Sequence, residues 1–250
     1  ERVELMSTWG KQLFKDSPLS IAQGEVSGHS LQHKFGAVPA MSQNQSGTIW
    51  DINDTDYPWS SFSSAGTLSV PAVNASDNGK SLVIEGLDGN YNVLSETITV
   101  SSSGATATTN SFLRVYRAYL TSGTNVAVIN IQKSSVNVAR INVGKAQTLM
   151  AVYTVPADYT AYLTQGTSTC QDGADATGDM FVRYFGQDAF RVGHSFEVCG
   201  DGGQYFYPFS VPLAIPEKSD IDIRATVRSN NARVTAAFDM ILVKNSVLRT

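Results

Sequence analysis

Residues 81–100, Ser-Leu-Val-Ile-Glu-Gly-Leu-Asp-Gly-Asn-Tyr-Asn-Val-Leu-Ser-Glu-Thr-Ile-Thr-Val, constrain the fold more than any other stretch. Leu82 and Ile84 alternate with Ser81, Val83 and Glu85, Asp88-Gly89-Asn90 interrupts, and Leu94, Ile98 and Val100 resume a period of two. A period of two turns one side of each strand toward a core, and Asp-Gly-Asn supplies residues that tolerate positive φ, so the stretch predicts a β-hairpin. Glu96 falls in phase with Leu94 and Ile98. Either the second strand is half exposed or a bulge reverses its phase.

Composition extends this reading to the whole chain. Charged residues make up only 16% of the 250, while Ser, Thr, Asn and Gly are plentiful. That balance suits many short strands joined by polar turns and argues against long surface helices. The expected fold class is all-β: two tandem antiparallel β-sandwich units, immunoglobulin-like then jelly-roll-like, behind an extended N-terminal arm.

Residues 1–41 form the arm, because they show no clean period. A short helix over residues 3–14 would place Leu5, Trp9, Leu13 and Phe14 on one side. Such a segment buries too little to order itself and gains structure by lying on a neighbouring subunit or on another part of its own chain. Residues 42–144 carry strand candidates separated by Ser-, Gly- and Asn-rich breaks, which predicts an immunoglobulin-like sandwich without the Cys-Trp-Cys pattern of that family. In residues 145–250, Ile221, Ile223, Ala225 and Val227 alternate with Asp222, Arg224 and Thr226, and Val234, Ala236, Phe238, Met240 and Leu242 share one face. Long strands joined by uneven loops predict a jelly-roll-like sandwich.

The motifs that carry chemistry are absent or incomplete. Asp51, Asn53, Asp54 and Asp56 are the densest acidic group, but Asp56 stands where a calcium loop needs its turn Gly and Phe62 where it needs its bidentate Glu; a turn capped by side chains is expected. Asp172, Asp175, Asp179 and Asp201 form a looser set read the same way. His29 and His33 have helical spacing without the Glu of a zinc-protease motif, and His194 lies in phase with Phe190, Val192, Phe196 and Val198 as a hydrogen-bonded core histidine. No catalytic residue, cofactor or metal is expected.

Net charge is −4, so nothing draws the whole chain to nucleic acid. Arg114, Arg117, Lys133 and Arg140 are read as solvated or interface charge. No run approaches the roughly 18 apolar residues a membrane span needs, and no signal-peptide pattern opens the chain, so a soluble protein is expected. Cys170 and Cys199 each close a strand-like run, either as a disulfide or as two free thiols. Large aromatics crowd loop-like contexts at Tyr57, Trp59 and Phe62 and again at Tyr205, Phe206 and Tyr207. With Trp9 and Phe14 of the arm they are the candidate partner-binding residues.

The segment Glu85-Gly-Leu-Asp-Gly-Asn-Tyr-Asn92 with Ser95-Glu-Thr97, together with Thr109-Asn-Ser-Phe-Leu-Arg-Val115, Gln147-Thr-Leu-Met-Ala-Val-Tyr-Thr-Val-Pro156 and Phe238-Asp-Met-Ile-Leu-Val243, resembles structural proteins of tailed bacteriophages, especially marine ones. The resemblance spans residues 48–244 and rests on framework residues. It implies a non-enzymatic virion protein, assembled in the host cytoplasm, and says much less about its position in the virion. The expected role is a capsid decoration or cement subunit, a homo-oligomer with a trimer favoured, bound to the major capsid protein, with a tail, neck or fibre component that touches the host surface as the alternative. Neither nucleic acid nor membrane is expected as a partner.

Overall fold

The computed structural model describes residues 18–171, 173–200 and 203–248. A one-turn helix, α1 (Pro18–Ala22), leads into β1 (His29–Met41) and β2 (Ser46–Thr48). Seven short strands follow: β3 (Ser69–Val70), β4 (Ser81–Leu87), β5 (Val93–Thr99), β6 (Thr106–Ala107), β7 (Arg114–Leu120), β8 (Ile129–Lys133) and β9 (Val136–Ile141). The chain continues through β10 (Val152–Thr154), β11 (Tyr159–Cys170), β12 (Ala176–Arg183), β13 (Arg191–Val198), β14 (Gln204–Ile215), β15 (Asp220–Val227) and β16 (Ala232–Lys244), and α2 (Asn245–Leu248) closes it. The protein is almost entirely β, and every strand pair is antiparallel.

In the larger sandwich the pairs nest. β12 pairs with β13, β11 with β14, β10 and β2 with β15, and β1 with β16. β2 and β10 lie end to end along one edge of β15, against Arg224–Thr226 and Asp220–Asp222. This is one long hairpin wound on itself, the jelly-roll arrangement. It yields two sheets, ordered β1-β16-β11-β14 and β10-β15-β12-β13 with β2 beside β15. Their facing sides hold one apolar core, with Val234, Phe238, Met240, Ala161 and Leu163 from the first sheet and Met180, Val182, Ile221, Ile223 and Val227 from the second. The alternation read along residues 221–227 and 234–242 is the inward parity of β15 and β16.

Residues between β2 and β10 form the smaller sandwich. Its sheets, β6-β3-β8-β9 and β5-β4-β7, enclose a second core that includes Leu82, Ile84, Phe112, Ile129, Ile131 and Ile141. β4 and β5 make the expected hairpin in unbroken register. The Glu96 conflict resolves through exposure and not through a bulge: β5 is mostly exposed, and the Glu96 carboxylate accepts the backbone N–H groups of Thr109 at 2.6 Å and Asn110 at 2.9 Å.

The two sandwiches are nested in the chain. β1 and β2, ahead of the smaller one, pair with the last two strands of the larger. Residues 29–41 therefore run along β16 of their own chain, and His29 and His33 sit on a strand and not on a helix. Trp9 and Phe14 lie outside the described residues.

Candidate functional site

Two places gather the polar and aromatic side chains that could do something: the seam where β13 and β14 meet, and the junction between the sandwiches.

β13 and β14 are the free edges of the two jelly-roll sheets on the same side of the sandwich. Tyr205, Tyr207 and Phe209 alternate on β14 and meet His194 and Phe196 of β13. The His194 ring lies 4.6 Å from Tyr207 and 5.4 Å from Phe209, Phe196 lies 5.7 Å from Tyr205, and Tyr207 meets Phe209 edge-on at 4.9 Å. His194 Nε2 and Tyr205 Oη share a hydrogen bond of 2.7 Å, and burial raises the Tyr205 phenol above its usual value. A mainly apolar cavity of about 30 Å³, room for one water-sized group, lies beneath this ladder against Leu163, Met180 and Phe238. No charged residue occurs anywhere in β14. β14 leaves Phe206 56% and Val211 79% exposed, Tyr207 on the ladder side is still 40% exposed, and Val192 of β13 is 53% exposed.

The junction is ionic. Arg114 of β7 makes a forked pair with Asp220 of β15, Nε to Oδ1 at 2.8 Å and Nη2 to Oδ2 at 3.1 Å, while its Nη1 donates to the carbonyls of Phe62 and Leu113. Arg183 of β12 donates to the same Asp220 from Nε and Nη2, and the Thr154 hydroxyl adds a bond of 2.6 Å. Burial works against the Arg114 charge, but the Asp220 carboxylate overrides it and holds the guanidinium above its ordinary value. Next to it, Asp222 accepts from Trp59 Nε1, Thr48 and Arg224; burial raises this carboxyl despite the Arg224 charge.

Most of the sequence-level candidates lie elsewhere than expected. Tyr57, Trp59 and Phe62 are buried and offer no surface to a partner. A 3₁₀ turn, Trp59–Phe62, folds them under the smaller sandwich, where Tyr57 stacks on Phe62 and its hydroxyl donates to the Val115 carbonyl at 2.8 Å. Of the second aromatic set, Tyr205 faces inward and Phe206 and Tyr207 are exposed. Cys170 and Cys199 are free thiols, the first buried at the end of β11 and the second exposed after β13, strands that belong to different sheets. Arg114 is buried between sandwiches, and Lys133 is buried with its amine on the Ser64 carbonyl and over the Phe62 ring. The acidic residues 51–56 diverge: Asp54 caps Ser42, Asn53 caps Ala40, Asp56 pairs with Arg224 at 3.3 Å, and Asp51 turns inward to Leu149 and Asn142. Among the described residues no three His, Cys, Asp or Glu side chains are placed to hold a metal, and no helix is long and apolar enough to cross a membrane. Asp172 and Asp201 lie outside the described residues. Sequence reasoning missed Arg183, Asp220 and Asp222 as junction residues; the only signal was charge on strands that also carry core residues such as Met180, Val182, Ile221 and Ile223.

No family model matches the chain, and no curated protein matches it. Among solved structures, a cryo-EM structure of Broad Bean Stain Virus aligns at 10% identity and a TM-score of 0.21, covering 70% of this chain and 84% of the other. The VP2 subviral particle of infectious bursal disease virus aligns at 10% identity and a TM-score of 0.23, covering 88% and 73%. A structure of the Gx strain of that virus aligns at 9% identity and a TM-score of 0.22, covering 86% and 72%. Likenesses this distant carry no argument about this chain.

Proposed function

We propose that this chain is a non-enzymatic structural subunit of a virus particle that works by adhesion through the β13–β14 edge. One observation carries the reading: a twelve-residue edge strand without a charge, on the open side of a jelly roll, with Phe206 and Val211 turned to solvent and Tyr207 partly exposed beside them. Free edge strands that stay soluble on their own are commonly blunted by lysines and other charges. β14 has only Pro208 and Pro212, which remove backbone donors and leave the apolar side chains in place. Such a surface suits burial against another subunit, where aromatic anchors supply most of the affinity. Jelly rolls also serve as capsid and lectin domains, which fits this use.

Within the particle the proposed role is a decoration or cement subunit, homotrimeric and bound to the major capsid protein; the sequence resemblance supports a virion part of a tailed phage. Its mechanism is thermodynamic: a ligand that binds only the assembled shell stabilises that shell by mass action, and repeated weak contacts add through avidity. The alternative of a tail or fibre component with saccharide on its aromatic loops loses the Trp59 part of its support, because that ring is buried.

Densitometry of purified virions that carry the chain tests the reading. Hundreds of copies per particle support the shell position, a dozen or fewer move the chain to the tail, and absence from the particles overturns the proposal.

A further inference from the structure

We propose that the cavity at the foot of the junction binds an acidic sugar, held by its carboxylate. The cavity measures about 360 Å³, within the range of small-ligand sites. It uses none of the β14 residues, so the inference stands apart from the attachment edge.

Three turns converge on it, and each contains a left-handed residue: Tyr91 at φ 66° in the β4–β5 hairpin, Gly186 at φ 79° after β12, and Lys218 at φ 61° before β15. For Tyr and Lys that conformation is uncommon and has to be held by its surroundings. Asp88 holds the first turn by accepting from the N–H groups of Asn90 and Asn92, and the Tyr91 carbonyl accepts from Ala157 N at 2.9 Å. Tyr91 is thereby carried across to the larger sandwich, where it meets Phe185 edge-on at 5.7 Å.

The walls have two characters. Tyr91 and Phe185, the latter 61% exposed, give an aromatic side against which the C–H face of a pyranose packs, and Ser60, Ser63 and Gln187 give hydroxyl partners. The other side is cationic. Arg114 and Arg183 share the single carboxylate of Asp220, and Lys218 stands over the Phe185 ring at 5.2 Å; of the lining residues only Asp188 adds a second negative charge. Three cations thus face two carboxylates. The described hydrogen bonds of Arg183 all go to Asp220, through Nε and Nη2, which leaves Nη1 for a ligand oxygen. A carboxylate entering there completes the charge balance by hydrogen bonds of the strong, charge-assisted kind.

Saturation-transfer NMR of the full chain with D-glucuronate and D-glucose at equal concentration tests this. Glucuronate is expected to give transfer that weakens with salt, and glucose little. Lys218→Gly, which suits the left-handed backbone, and Phe185→Ala, at an exposed ring, are each expected to weaken glucuronate binding about tenfold with the melting temperature unchanged. Equal binding of both sugars, no binding of either, or undiminished glucuronate binding in both variants overturns the proposal.

Discussion

Lys34 is buried on β1 with its amine on the Tyr116 carbonyl and over the Tyr116 ring. Burial, with the Arg117 charge adding to it, lowers its pKa to about 7 from an ordinary 10.5. Between those values the unfolded chain holds a proton the folded chain has released, so this residue makes stability rise with pH; below 7 its full cost is present. Lys34→Met is expected to raise the melting temperature at pH 6, with a gain that shrinks toward pH 10, as calorimetry at several pH values would read. Asp51 has the opposite sign, since burial raises it to about 8 and its contribution is lost as pH rises from about 4 to 8. At Arg114, removal of one partner leaves the Asp220 carboxylate buried with a single guanidinium. Arg114→Ala should cost about 3–5 kcal/mol in urea unfolding, whereas a cost under 1 kcal/mol would mean water already reaches the pair. None of this was legible in the sequence. Arg114 read as solvated or interface charge and Asp222 as the polar phase of a strand, because their partners are brought together only by the nesting of the two sandwiches.

At the scale of elements, periodicity read well where one face meets a core and the other meets water, as in the β4–β5 hairpin, β15 and β16. It failed on β1, whose buried positions include Lys34 and Gly36. Gly36 is there because a Cβ would stand 2.2 Å from the Ile49 carbonyl and 2.4 Å from the Ala151 nitrogen, where β1 passes between two chain segments. Gly36→Ala is therefore expected to strip protection from β1 amides in hydrogen exchange and to lower the melting temperature, whereas Gly24→Ala, at a left-handed position with open space around it, should leave β1 protection intact. The aromatics at residues 205–207 read as a loop-like context, whereas they lie within β14, whose Pro208 and Pro212 an edge strand tolerates. Tyr57, Trp59 and Phe62 looked like surface anchors because the partners of their polar atoms, Val115 and Asp222, lie far along the chain.

For the molecule as a whole, nesting ties the sandwiches together twice, by the chain entering and leaving the smaller one and by the contacts of Lys34, Arg114 and Trp59 across the junction. A single calorimetric transition, with calorimetric and van't Hoff enthalpies equal, is expected; two resolved peaks would show the cores to be independent. The same plan leaves the β13–β14 side as the open flank, and on this surface the account of adhesion depends. Sedimentation velocity of the wild-type chain and of Phe206→Lys/Val211→Lys over a wide concentration range is the most direct test. The wild type is predicted to form a closed oligomer and the double variant to remain a folded monomer with an unchanged melting temperature; a double variant that associates as fully as the wild type would contradict the account.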